Sequence, residues 1–269
     1  MKHFTLALVA AAAFCSQAFA QNRVKYLYTS GTTLNVSLLN DEAQQVQINR
    51  TLFAGYNSIC LPMSLSAEQL QAAANGVQVE RLISIGQEGT TLNLYFMDCT
   101  NEGIEAGVPY LIYSPKLQTL RAKSTDADAV NTNLKCITKT DSEGNQISFG
   151  SSWESVQVDG RYGIPAMQDA DELQSILICT TGDKTFLPTR CGFTWDKKSV
   201  TAQKLEIKHI TDLTGEETRI EELQAKDAVV DIYNTQGAMV QSKANINKAI
   251  QTLPKGIYVI NGLKVAVNN

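Results

Sequence analysis

Thr91-Leu-Asn-Leu-Tyr-Phe96 sets Leu92, Leu94 and Phe96 on one side of an extended chain and Asn93 and Tyr95 on the other. Apolar residues at period two mark a half-buried strand, because successive side chains leave opposite faces of a sheet. Lys204-Leu-Glu-Ile-Lys208 repeats the pattern with Leu205 and Ile207 inward. Turn signals punctuate the chain at Gly86-Gln-Glu-Gly89, Asp141-Ser-Glu-Gly-Asn145, Thr181-Gly-Asp-Lys184 and Asn261-Gly262. Strands separated by such turns at short spacing predict an antiparallel sandwich or barrel. Ser175-Ile-Leu-Ile-Cys179 is continuously apolar and reads as a central strand covered on both faces. Ser114 to Asn133 and Thr194 to Gln203 show little periodicity and read as long loops.

One helix stands out. Ser66 is its N-cap and Gln69 the third residue of a capping box, with Leu65 and Leu70 placed to form a hydrophobic staple. Ala72-Ala-Ala74 propagates it and Asn75-Gly76 stops it, so it spans about three turns. The polar run Thr211-Asp-Leu-Thr-Gly-Glu-Glu-Thr218 sets off a last segment with its own strands at Ala228–Asn234, Gly256–Ile260 and Leu263–Val267. Asn261-Gly262 joins the final two as a type I′ hairpin turn, since both residues tolerate positive φ. The expected fold is mainly β: an antiparallel, jelly-roll-like β-sandwich main domain over 22–212 with one short helix, and a small C-terminal Ig-like β-domain over 213–269.

The N-terminus reads as an address. Lys2 and His3 precede an apolar run from Leu6 to Phe14, and Ala18-Phe19-Ala20 has the small-x-small form of a signal-peptidase site. Residues 1–20 are therefore read as a signal peptide cleaved after Ala20. Cys15 is not read as a lipidated cysteine, because Phe14 precedes it where that signal wants a small residue. With Lys2 removed, 22 of the 23 basic residues face 27 acidic ones. That balance, with no basic cluster, argues against a nucleic-acid partner. No later run has the length of a transmembrane segment.

Five of the six cysteines remain after the signal: Cys60, Cys99, Cys136, Cys179 and Cys191. They lack metal-ligand spacing, and four lie in apolar runs, so the favoured reading is small core hydrophobes. Cys179–Cys191 flank one turn and are the pair to check for a disulfide.

The C-terminal segment resembles the sorting domains of exported Bacteroidetes proteins read by the type IX secretion system. The residues that carry this are Val230-Asp-Ile-Tyr-Asn-Thr-Gln-Gly237 and Lys255-Gly-Ile-Tyr-Val-Ile260. The sorting-like motif positions are Tyr233, Gly237, Gly256, Tyr258, Asn261 and Gly262. The unit is shorter than many such domains and ends Val-Ala-Val-Asn-Asn. A plain terminal β-domain of a periplasmic or surface protein is the other reading. The main domain is similar to an uncharacterised group of secreted Bacteroidales proteins through three motifs. These are Gly55-Tyr-Asn-Ser-Ile-Cys-Leu-Pro62, Ile104-Glu-Ala-Gly-Val-Pro-Tyr-Leu111 and Leu187-Pro-Thr-Arg-Cys-Gly-Phe193.

Residues that could do chemistry are few. Past the signal, His209 is the one histidine; it shares strand parity with Leu205 and Ile207 and reads as structural rather than as a general base. No nucleophile signature accompanies it. Asp126/Asp128 and Asp169/Asp171/Glu172 are the densest acid clusters and read as solvated loops rather than a glycosidase pair or a Ca²⁺ site. Trp153, Tyr162 and Trp195 are the candidate glycan-contact residues, weighed against ordinary packing of large aromatics. No catalytic residue, cofactor or metal is assigned. The expected function is a non-catalytic surface or extracellular binding or adhesion module, secreted or at the cell surface with the periplasm as alternative. Its expected partners are the secretion machinery and a glycan or a host or matrix protein. An extracellular glycan-acting hydrolase and a structural envelope subunit are the alternatives.

Overall fold

The alternation at Thr91–Phe96 is realised in a five-stranded sheet at the centre of the protein. The computed structural model describes residues 24–28, 33–36, 45–123, 131–164, 178–180, 185–210, 223–224 and 226–267. The expected signal segment, the acid clusters at 126–128 and 169–172 and the linker at 211–218 lie outside the described residues. The central sheet has the order β15 (Lys204–Ile210), β5 (Thr91–Asp98), β4 (Gln78–Glu88), β6 (Tyr110–Ser114), β3 (Gly55–Ile59). Leu92, Leu94, Phe96, Leu205 and Ile207 are all buried on one face, as their spacing requires.

That face packs on a second five-stranded sheet, ordered β12 (Ile178–Thr180), β11 (Arg161–Gly163), β14 (Cys191–Asp196), β9 (Gln146–Ser151), β8 (Ile137–Thr140). Phe149 and Phe193 stack between the sheets and Phe96 meets both edge-on. The opposite face of the central sheet is shared by two neighbours. One is a three-stranded sheet, β1 (Val24–Tyr28), β2 (Gln45–Leu52) and β7 (Gln118–Lys123), with helix α1 (Ala67–Ala73). The other is the C-terminal unit, reached through Ile83, Tyr95, Met97 and Ile210. A short pair, β10 (Val156–Gln157) with β13 (Thr185–Phe186), completes the body.

The body is mainly β and sandwich-like, with local departures from expectation, among them residues 194–196 of the second expected loop, which are in β14, and a helix α1 of seven residues rather than three turns. Two strand pairs are parallel, β1 with β2 and β15 with β5. Gln118–Lys123, inside the expected loop, is a strand, because Leu120 and Ala122 alternate into the first core. Residues 178 and 179 of the expected central strand belong to β12, which stands at an end of its sheet, paired with β11 alone among the described strands. An apolar run by itself does not distinguish these positions. Helix α1 carries the predicted capping box: Gln69 N donates to Ser66 Oγ at 3.2 Å and Ser66 N to Gln69 Oε1 at 2.8 Å.

The C-terminal unit is a four-stranded antiparallel sheet, β17 (Met239–Asn245), β16 (Val229–Asn234), β18 (Gly256–Ile260), β19 (Leu263–Val267). Helix α2 (Ile246–Thr252), capped by Asn245, takes the place of the second sheet of an Ig-like sandwich. Ile246, Ala249 and Leu253 close a separate core with Val230, Ile232, Tyr258, Ile260 and Val265. The turn at Asn261-Gly262 has φ of 47° and 76°, the signs a type I′ hairpin needs.

Candidate functional site

The three aromatics singled out in the sequence do not form one site. Tyr162 and Trp195 sit on neighbouring strands with centroids 6.0 Å apart, edge to face, and both are half-buried against the inter-sheet core. The Lys197 ammonium lies 5.5 Å from the Trp195 ring centroid, a cation–π contact. Trp153 stands beyond the other end of β9 and β14, since Trp195 pairs with Ile147 and Cys191 with Ser151. Its indole donates to Thr132 O at 2.8 Å, and its ring packs where two cores meet. Trp153 is thus held apart from Tyr162 and Trp195, which form the one aromatic pair among the three.

His209 is held in a polar cluster on the concave face of the central sheet. Its Nδ1 lies 2.6 Å from Glu80 Oε2, and Tyr56 donates to Glu80 Oε1 at 3.1 Å. The imidazole stacks on the Tyr56 ring at 4.0 Å, and Tyr113 meets Tyr56 edge-on. Tyr56 and His209 come from opposite edge strands and meet over the middle strand, so the sheet curls around Glu80. Burial, then Glu80, raises the Tyr56 phenol well above the usual range, so it stays protonated. The Glu80 carboxylate is only 5% exposed and takes both contacts. The arrangement is a buried acid satisfied from two edges, consistent with the structural reading of His209. Glu80 was not legible in the sequence, because it precedes His209 by 129 residues.

The three body motifs meet around a buried arginine. Arg50, on β2, donates through Nη1 to Thr189 O at 2.5 Å and to Thr189 Oγ1 at 3.2 Å, and through Nη2 to Ser58 O. Burial, then Arg190, lowers Arg50 to about 9, which leaves it charged at neutral pH. Ser58 Oγ donates to Cys191 O and accepts from Cys191 N, both at 2.9 Å. Cys60 N donates to Thr189 O at 2.9 Å, and Gly107 N to Leu61 O at 2.7 Å. The motifs at 55–62, 104–111 and 187–193 are thus joined along one seam, where Arg50 and Ser58 serve main-chain groups of Ser58, Thr189 and Cys191. Cys60, Cys99 and Cys191 are buried free thiols and Cys136 an exposed one, so Cys191 is not in a disulfide. The Cys179 side chain lies outside the described residues.

The sorting-like motif divides between the unit's own fold and its seam with the body. Gly256 lies under the Tyr258 ring, and Tyr258 donates to Pro254 O at 2.9 Å. Tyr233 instead packs with Ile83, Tyr95, Met97 and Ile210 of the body. A Cβ on Gly262 would lie 2.1 Å from the Tyr95 ring, and one on Gly237 would lie 3.0 Å from Ile83 O. Lys139 of the body donates to Gly237 O. These glycines permit both a left-handed turn and close approach to another surface.

The fold and these sites define a class: a mainly β protein whose C-terminal sheet-and-helix unit is docked on a sandwich-like body. Among the described residues no helix is long and apolar enough to cross a membrane. Comparison with protein families, with curated proteins and with solved structures finds no match to this chain.

Proposed function

We propose that this is an exported, non-catalytic surface or extracellular protein, a β-rich binding module carried or anchored through its C-terminal unit. The observation that carries the reading is the separate core of that unit, closed by α2 over its own four strands. A unit with its own core can serve as an address apart from the body it accompanies. The resemblance of Tyr233, Gly237, Gly256 and Tyr258 to sorting-domain positions supports a role in export, with the type IX machinery as the expected reader. The half-buried Tyr162–Trp195 pair supports an aromatic contact surface on the body, with a glycan or a host or matrix protein as the partner class.

Cell fractionation tests the reading. The full chain is expected at the surface or in the medium, and the chain lacking 213–269 in the periplasm. Fusing 213–269 to an inert periplasmic reporter separates sorting from misfolding, because the reporter is expected to move outward. Normal surface delivery of the truncated chain, or a reporter left in the periplasm, refutes the proposal.

A further inference from the structure

A cleft of about 310 Å³ opens at the seam between body and C-terminal unit. It is lined from the body by Glu88 at the end of β4 and by Asp141 and Glu143 in the turn between β8 and β9. The C-terminal unit contributes Asp231, Tyr233 and Lys243. Four carboxylates thus face one ammonium. Tyr233 is 4% exposed, and its hydroxyl is buried with no hydrogen-bond partner. A buried polar atom without a partner costs free energy, so an unpaired hydroxyl at a cleft wall points to a group that arrives from outside. Burial, then Asp231 and Asp141, raises the Tyr233 phenol and keeps it protonated.

We infer that this cleft binds an organic cation, an alkylammonium or guanidinium group, between Asp231, Asp141 and the Tyr233 hydroxyl. The charge balance of the lining calls for a cation. Among the described residues no three acids, histidines or cysteines converge to hold a metal ion, so the charge suits a cation spread over several N–H donors. The acids already have local partners that hold them in place. Asp231 Oδ1 accepts from Ser242 Oγ at 3.0 Å and Lys243 N at 2.8 Å. Asp141 Oδ1 accepts from Glu143 N at 3.0 Å and Asn145 N at 2.8 Å, and its Oδ2 from Asn145 Nδ2 at 2.8 Å. A carboxylate has about four acceptor sites, so both acids keep lone pairs for a ligand. The phenol oxygen accepts one N–H, and its O–H then turns to a cleft carboxylate. The cleft is at the small end of ligand pockets, which run from about 300 Å³ upward, and suits one cationic group rather than a folded partner. The inference does not depend on export.

The mature protein is titrated by calorimetry with arginine amide, spermidine and a capped Gly-Arg-Gly peptide. Saturable binding of at least one is expected, weakened about tenfold by Tyr233→Phe and by Asp231→Asn. The control Glu206→Gln, outside the cleft lining, is expected to leave it unchanged. Without ligand, Tyr233→Phe is expected to melt no lower than the parent, because it removes an unpartnered hydroxyl. Tighter binding of the capped peptide assigns the source to a protein side chain, and tighter binding of the free amines to a small molecule. No saturation up to about 10 mM overturns the inference. So does binding that Tyr233→Phe leaves intact, or uptake of Ca²⁺ with the organic cations excluded.

Discussion

Ser58→Ala isolates the seam where the three body motifs meet. The substitution removes one oxygen atom and nothing else of the packing. That oxygen bridges strands 133 residues apart: it donates to Cys191 O and accepts from Cys191 N, both at 2.9 Å. Cys191 is 1% exposed, so water cannot replace the hydroxyl without opening the core. Two buried main-chain groups are then left unsatisfied at about 1–3 kcal/mol each, for a loss of about 2–6 kcal/mol. With a urea m-value of about 3 kcal/mol/M, the unfolding midpoint should fall by about 0.7–2 M. Fluorescence is the suitable probe, because both tryptophans, Trp153 and Trp195, belong to the body. Ser58→Cys, which restores a weak donor and acceptor, should recover part of the loss. Ser142→Ala, at an exposed turn position, supplies the baseline. A midpoint within about 0.2 M of the parent would refute the assignment of Ser58 as the link between the sheets.

Three further predictions concern the unit seam and the buried thiols. Gly262→Ala should lower stability by about 2–4 kcal/mol, summing a left-handed residue with a side chain and an overpacked contact on Tyr95. Gly89→Ala should cost only about 1 kcal/mol, since Gly89 has φ of 58° but open space around it; equal melting temperatures for the two variants would contradict the docking geometry. Burial pushes the Cys60 and Cys99 thiols up to about 12 and raises Cys191 as well. A folded state that holds these protons more tightly than the unfolded chain is stabilised below the ordinary thiol range and loses that stability as pH climbs from about 9 toward 12. A melting series from pH 8 to 11 should show the loss. In a chain lacking residues 1–20 and carrying Cys179→Ser, only Cys136 should react with a thiol reagent in the native protein, and rapid labelling of all four thiols at pH 8 would contradict the burial.

How much of this was legible follows from the range of the forces involved. The capping box at Ser66 and Gln69 and the hairpin at Asn261-Gly262 were readable because both are made within a few residues. Three of the four C-terminal strands were readable from alternation and Gly punctuation. Strand β17 was not, because it stands at a sheet edge with much of its length exposed and no alternating apolar face. Helix α2 carries Ile246, Ala249, Ile250 and Leu253 at helical spacing, a signal present over too short a span to compete with the strands around it. The acidic cleft had no signal at all, since its carboxylates lie in the β4, β8–β9 and β16 segments and become neighbours only when the units dock.

By itself, the sequence determined the β class, the helix start, the closing turn and the parity of His209 with its apolar neighbours. Each follows from backbone sterics or side-chain period along a few consecutive residues. Only the tertiary structure decided that Glu80 satisfies His209 and Tyr56, that Ser58 serves the main chain of Cys191, and that Gly237 and Gly262 are points of approach. Those contacts join strands distant in the chain, and a buried polar group or a missing Cβ acquires meaning only from what is packed against it.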